Sequence, residues 1–473
     1  MFARITHPGT QARRLALLGA ALLFACAGLA QAQSAGGLPP GSASSTYSSP
    51  SPVLVASGSA PPSQWARIVV AVQLQGGNDG LNTVIPYADP LYYKLRPTLA
   101  IPKAKVLPLS PTMGLNSELA PLMSDWKQGD LAIILGVGYP HPDRSHFRST
   151  DIWETGSGSD EVLNTGWIER MLAAANPPSA LIADGAVIGG LGLGPLRGPA
   201  LRTISMNDPA QFIAAAKNIS AIGSPTAPGG PLSPEGGLLS PPSGAAMLAR
   251  PTGQQAAMAL PSSQPSPLAF LETVQDNLVE AAQRLELLKS QEPHLKTVFP
   301  KTRFGDAMHN AAELIAMGAA IPVIKVQLGG FDTHANELAR QDAVLADLGT
   351  SLEAFRAAMV ELGKWNDVLV MTYSEFGRRV MENGSGGTDH GTAEPVLLLG
   401  GMVKGGFYGK EPSLSDLTSA RNGDLKYTTD YRSLYVTIGT EWWDIPAAKI
   451  RAGLFPGVSI GSLTDFPIIR AGS

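Results

Sequence analysis

Arg67–Gly80 reads RIVVAVQLQGGNDG. Its first part is a nearly unbroken apolar run, and its end is a glycine turn carrying Asn78 and Asp79. An unbroken apolar run, rather than an alternating one, suits a strand of a parallel sheet covered by helices on both faces. Two later stretches repeat the pattern. Pro322–Leu328 (PVIKVQL) runs into Gly329-Gly330-Phe331-Asp332-Thr333-His334. Asp367–Tyr373 (DVLVMTY) runs into Ser374-Glu375-Phe376-Gly377-Arg378, and Thr388-Asp389-His390-Gly391 follows. In doubly wound sheets the strand C-termini share one edge, where ligands bind. Asp79, Asp332, His334, Glu375, Asp389 and His390 are therefore expected to converge. A divalent metal ion is the simplest reason for so many carboxylates and imidazoles in one place. The fold class expected is α/β: a doubly wound, mostly parallel sheet with helices on both faces.

Outward from these strands, Leu131–Gly136 (LAIILG) reads as another buried strand. It leads to His141-Pro142-Asp143-Arg144-Ser145-His146-Phe147-Arg148, with a helical pattern from about Ser145 to Glu154. Pro395–Gly400 is a further strand. Helices are expected over Pro267–Ser290, where apolar residues recur at helical spacing, and over Phe304–Ala319, Ala335–Trp365 and Tyr431–Trp443. The third of these lies between two strands and makes a crossover long enough for parallel pairing. Loops such as Tyr87–Thr112 and Asn164–Pro209 are expected to shape specificity.

The two ends of the organisation are compositional. Arg4, Arg13 and Arg14 precede the apolar Leu15–Leu29 and the small-residue site Ala30-Gln31-Ala32, the pattern of an export signal over 1–32. Arg13-Arg14 makes twin-arginine export an alternative to general secretion. Residues 33–64 are a Ser/Pro/Gly-rich leader, and 65–473 a single α/β domain with a low-complexity insertion at about 221–267. The one cysteine, Cys26, lies inside the signal. Apart from a lipid anchor at Cys26, the expected destination is the periplasm or the exterior. A chain cleaved after Ala32 has no disulfide and no thiolate ligand, so its metal would use oxygen and imidazole donors. The formal net charge is −4, which gives no footprint for nucleic acid. No stretch beyond the signal is long and apolar enough for a transmembrane segment.

Each chemical residue has a plainer alternative. Gly76 and Gly77 let the backbone turn and approach a ligand at Asp79, but Gly-Asn-Asp-Gly is also ordinary turn composition. Asp332 and His334, two apart in an extended segment, point to one side; Asp332 or Thr333 can instead cap the next helix. Glu375 can be a ligand, a base or the partner of Arg378. His390 is the stronger ligand of its loop, with Asp389 either a ligand or the acceptor that fixes a ring tautomer. Ser145 is a nucleophile candidate that a nearby metal would activate, or a helix cap. His146 can be a ligand or a general acid. Arg144 and Arg148 can clamp a phosphate or sulfate through paired hydrogen bonds, with Asn78 and Arg378 as further substrate-binding candidates.

These motifs carry a resemblance. Gly76–Asn82 (GGNDGLN), Pro142–Gly156 (PDRSHFRSTDIWETG), Gly330–His334 (GFDTH), Ser374–Arg378 (SEFGR) and the Thr388–Gly391 segment resemble DUF1501, a group of exported bacterial proteins without an assigned activity. DUF1501 in turn resembles the alkaline phosphatase and sulfatase superfamily. The resemblance implies a metal site at the strand C-termini. It makes Asp79 the first-strand metal aspartate and puts Ser145 at the nucleophile. Asp332 and His334 become an Asp/His ligand pair, at a spacing of two where alkaline phosphatases usually have four. Glu375 stands where Asp-His or Asp-Asn is usual. His390 becomes the late histidine, or Asp389-His390 the displaced pair. Zinc is the first expectation for the metal, with calcium or manganese as alternatives. Formylglycine chemistry is not expected, because Ser145 lies outside the required pattern. The implied function is an exported metal-dependent hydrolase of a small-molecule or glycan phosphate or sulfate ester. The alternative is a non-catalytic envelope protein that uses the fold to bind a glycan or a protein.

Overall fold

The computed structural model describes residues 63–190, 192–223, 267–289, 294–419, 423–454, 463 and 465–470. The expected export signal, nearly all of the leader, Cys26 and most of the low-complexity insertion lie outside the described residues.

The apolar runs form the strands expected of them. In chain order the main sheet holds β1 (Ile68–Gln75), β2 (Leu131–Gly138), β3 (Gly185–Ile188), β4 (Thr203–Met206), β5 (Val323–Gly329), β6 (Val368–Tyr373), β7 (Glu394–Leu399), β8 (Gly406–Gly409) and β9 (Thr429–Asp430). Their order across the sheet is β8-β2-β7-β6-β1-β5-β3-β4, with β9 pairing on β2. Every pairing is parallel except the two made by β7. The sheet is therefore mostly parallel, as the sequence led one to expect.

Helices cover both faces. Val70, Val72 and Leu74 of β1 enter one core with residues of α3 (Arg303–Ala316) and α4 (Glu337–Glu361), among them Phe304, Met308, Leu345 and Leu352. Val69 and Ala71 enter the other core. There they meet Ile152 and Trp153 of α1 (His146–Thr155), Trp167 of α2 (Trp167–Ala175), and Leu434 and Tyr435 of α5 (Arg432–Thr437). Burial of alternate side chains into two separate cores explains why β1 reads as a continuous apolar run.

Two segments expected as specificity loops are partly sheet. Within 164–209 lie β3 and β4, which extend the main sheet beyond β5. Within 87–112 the strand Val106–Pro108 joins Val84–Ile85 and Gly114–Asn116 in a small antiparallel sheet. Both sets of strands are short, so neither produces a run of apolar residues long enough to read.

The C-terminal ends of β1, β2, β5 and β6 lie at one edge of the sheet. The antiparallel β7 begins at this edge, which brings residues 389–394 to it from the opposite chain direction. Glycines let the loops there pack backbone to backbone. Gly76 has φ 124°, and a Cβ on it would lie 2.3 Å from the amide nitrogen of Asp332. A Cβ on Gly387 would lie 2.3 Å from the carbonyl carbon of His334.

Candidate metal centre

Asp332 is the hub of the site. Arg378, fully buried, donates to its Oδ1 at 2.7 Å. The same guanidinium also donates to the carbonyls of Gly76, Gly77, Phe331 and Thr388. One cation thus ties the turn after β1, the loop after β5 and the loop before β7 to a single carboxylate. Burial alone would raise the Asp332 carboxyl, but the Arg378 hydrogen bond and charge hold it below its ordinary value.

Three imidazoles surround Asp332. His334 Nε2 lies 3.2 Å from Oδ1, His390 Nε2 3.4 Å from Oδ1, and His146 Nε2 3.6 Å from Oδ2. Each ring is held through its other nitrogen. His146 Nδ1 meets Glu375 Oε1 at 2.8 Å, His334 Nδ1 meets Asp389 Oδ1 at 3.3 Å, and His390 Nδ1 meets the Arg144 carbonyl at 2.8 Å. A carbonyl and two carboxylates can only accept, so the proton of each neutral ring sits on Nδ1. All three Nε2 lone pairs then face Asp332.

The consequence is sharpest between His334 and His390, whose Nε2 atoms are 2.9 Å apart. Two lone pairs at this distance repel unless a proton or a metal cation lies between them. The donor set of imidazole nitrogen and carboxylate oxygen fits zinc, and fits manganese or iron nearly as well. Outer acceptors on every Nδ1 are the usual support of ligating histidines. Among the described residues, His146, Asp332 and His390 form a group close enough to share one metal ion. Phe376, buried, lines the rings of His146 and His390 at centroid distances of 5.0 and 4.6 Å.

The Glu375 carboxylate is buried and stands behind His146. Its Oε1 accepts from the Gly76 amide at 2.9 Å as well as from the ring. The hydrogen bond to Glu375 raises His146 above its ordinary value, against the opposing effect of burial. Burial lowers His390, helped by neighbouring positive charge. Asp389 is held below its ordinary value despite its burial, by hydrogen bonds from Asn383 and His334.

Four residues picked out in the sequence have other partners than those expected. Asp79 is fully buried, and its two oxygens receive Arg96 Nη1 at 2.5 Å and Nη2 at 2.9 Å. Its carboxylate faces Arg96 and Glu337 rather than the imidazoles, so it does not join the group around Asp332. The side chain of Asn78 is buried against Thr83 and Gln341. Arg148 is spent on Asp151 and on the carbonyls of Gly158, Ser159 and Glu161. Arg378 is internal wiring, as above. None of the three presents a free polar face to a substrate.

Ser145 is exposed and occupies the N-cap of α1, yet its hydroxyl makes no capping bond. Its amide donates to Asp143 Oδ1 at 2.7 Å. The capping alternative is therefore not what the structure adopts. Sequence reasoning gave no site role to Arg96, Glu337, Arg379 or Asp424, all of which pack around the site. Arg379 directly follows the Ser374–Arg378 motif, whereas Arg96, Glu337 and Asp424 lie outside the motifs and only the folded chain brings them near it.

Residues 268–454 match the DUF1501 family model, described as a protein of unknown function. The resemblance to DUF1501 is borne out. No curated protein matches the chain. Solved structures similar to it belong to the alkaline phosphatase and sulfatase superfamily. The zinc-bound C-terminal periplasmic domain of EptC from Escherichia coli is 8% identical, with a TM-score of 0.33, over 71% of this chain and 73% of that one. The lipoteichoic acid synthase LtaP from Listeria monocytogenes is 8% identical, with a TM-score of 0.31, over 80% and 72%. The PsFucS1 sulfatase from Pseudoalteromonas sp. is 8% identical, with a TM-score of 0.35, over 86% and 73%. At these scores the likeness carries no argument about mechanism or substrate. No described helix of this chain is long and apolar enough to cross a membrane.

Proposed function

We propose that the protein is an exported, metal-dependent hydrolase of a phosphate or sulfate ester, with one metal ion held by His146, Asp332 and His390 and joined by His334 through a small shift of its ring. The observation that carries this reading is the orientation of the three imidazoles. Each Nδ1 is engaged by an acceptor behind it, and each Nε2 is turned to one carboxylate. Asp389 and Glu375 act from behind, fixing the tautomers of His334 and His146. Asp79 takes no part, because Arg96 holds both of its oxygens. A single-metal centre follows. The basic and apolar pattern of residues 1–32 supports export by the twin-arginine or the general route.

When bound, the metal would supply Lewis-acid polarisation of the ester and stabilisation of negative charge. The remaining chemistry belongs to the chain. Ser145, whose exposed hydroxyl precedes His146 in the chain, would attack phosphorus or sulfur, forming a Ser145 ester as the bond to the leaving alcohol breaks; water would then hydrolyse that ester. Phe376 keeps water from the inner side of the rings. Arg378 and Glu375 hold Asp332 and His146 against displacement as the ester enters.

The test is hydrolysis of p-nitrophenyl phosphate and p-nitrophenyl sulfate by metal-loaded protein, with Ser145→Ala beside the wild type. The expected result is turnover of one ester, reduced at least about 100-fold in the variant, whose metal content is unchanged. Turnover at the wild-type rate in the variant contradicts the role of Ser145. No turnover of either ester by the metal-loaded wild type contradicts the hydrolase reading and favours a binding role.

A further inference from the structure

Two arginines outside the imidazole cluster converge on one buried carboxylate. Arg144 Nη2 lies 2.5 Å from Asp424 Oδ2, and Arg379 Nε lies 3.6 Å from Asp424 Oδ1. Asp424 is 1% exposed, whereas the side chains of Arg144 and Arg379 are 44% and 26% exposed. The carboxylate is thus a buried anchor, and the two arginine side chains are partly accessible. The anchoring is incomplete for Arg379, whose Nε has no hydrogen-bond partner among the described residues. Among the described residues, its other ionic neighbour is Asp389, at 3.9 Å.

The backbones of both arginines are pinned to the site. The Arg144 carbonyl accepts from His390 Nδ1 at 2.8 Å. The Arg379 amide donates to the Asp389 carbonyl at 3.0 Å, and its own carbonyl accepts from Arg96 at 2.8 Å. Arg379 also follows Arg378, the residue that holds Asp332. The two arginines are therefore carried by the same segments as the imidazoles, and Arg379 reaches Asp389, the acceptor behind His334.

Charge points the same way. Around the site stand three guanidinium groups (Arg144, Arg378 and Arg379) and four carboxylates (Asp332, Glu375, Asp389 and Asp424). With neutral imidazoles this leaves one negative charge. A divalent cation at Asp332 reverses it to one positive charge, which a bound anion would balance. Guanidinium groups bind tetrahedral oxyanions through paired, directional hydrogen bonds.

We propose that Arg144 and Arg379 form a two-guanidinium clasp for a tetrahedral oxyanion, phosphate or sulfate, beside the imidazole cluster. The inference rests on the ester-hydrolase reading for its meaning, but its test is independent of turnover. Arg379 takes the place that the sequence suggested for Arg148, whose donors are consumed within its own loop.

The experiment is calorimetric titration of the full chain with inorganic phosphate and with sulfate, in metal-loaded and metal-free protein. Wild type is compared with Arg144→Gln, Arg379→Gln and Arg379→Lys. Bound metal and the urea midpoint are measured on every sample. Binding of at least one anion is expected, weakened at least tenfold in both Gln variants with metal content unchanged. Arg379→Lys keeps the charge and loses the planar fork, so its affinity should fall between the two. It also carries the comparison if Arg379→Gln proves unstable. The separation of phosphate from sulfate identifies the anion class. Wild-type affinity in both Arg379 variants overturns the proposal, as does the absence of anion binding to wild type in either metal state. Anion binding that depends on Arg379 in a chain that takes no metal leaves the clasp standing and removes the metal reading.

Discussion

Asp79, Arg96 and Glu337 form a buried ionic group beneath the loops that carry the site. Burial pushes against the charge of Asp79, but Arg96 overrides it and holds the carboxyl below its ordinary value. Glu337 is pushed up to about 9 from its ordinary 4.5, by burial first and then by the negative charge of Asp79. At neutral pH Glu337 therefore keeps its proton in the folded chain and loses it in the unfolded chain. Stability must then fall as pH rises from about 4.5 to about 9, at up to about 1.4 kcal/mol per pH unit from this group. Glu337→Gln copies the protonated form and should flatten that slope, as read by urea midpoints from pH 5 to 9. An unchanged slope contradicts the assignment. Arg96→Met leaves Asp79 as an unpaired buried charge and should cost about 3–5 kcal/mol of stability. Asp79→Asn should likewise lower the urea midpoint while leaving bound metal at the wild-type level. Loss of metal from a folded Asp79→Asn chain would restore Asp79 as a ligand.

At the scale of elements, α1 matters most because His146 opens it. The helix is tied to the sheet further along by an ion pair between Glu154 and Lys325 of β5, with Nζ 2.8 Å from Oε1. Lys325 is 1% exposed. Lys325→Met strands Glu154 in an apolar layer, and a loss of about 3–5 kcal/mol is expected. Lys325→Met with Glu154→Leu should recover most of it, because replacing both charges removes the desolvation cost. Equal destabilisation by the single and the double variant would mean that the pair does not account for the loss. The loop before β7 is placed by close approach instead. A Cβ at Gly387 would meet backbone atoms of Thr333 and His334, which cannot move aside as a flexible side chain can. Gly387→Ala should shift Asp389 and His390 against His334. Metal affinity should fall about 10- to 100-fold, the usual range for disturbed outer supports, as read by competition with a chromophoric chelator. Unchanged affinity would show the loop to be more tolerant than the packing indicates.

Across the whole molecule, what could be read from the sequence follows from how local each signal is. β1, β5 and β6 are continuous apolar runs with acidic turns, so the sheet and the edge where these turns meet were visible before folding. Asp332, His334 and His390 lie in short motifs and do come together. Asp79 has an equally suggestive motif, and Gly76 does adopt the positive φ expected of it. Its partnership with Arg96 could not be read, because nothing local marks Arg96 as a buried cation. His146 was left between ligand and acid, and the fold resolves the geometry by turning its Nε2 to Asp332. β3 and β4 are each four residues long, and their pairing depends on β5 rather than on any pattern of their own. The sequence could name the chemical groups, but only the fold shows which of them face one another.

The most direct measurement is elemental analysis of the purified protein, with Asp332→Ala prepared beside it. One divalent ion per wild-type chain is expected, with none in the variant and both chains folded. Two ions per chain, or none in the wild type, would contradict a single-metal centre built on three imidazoles and Asp332.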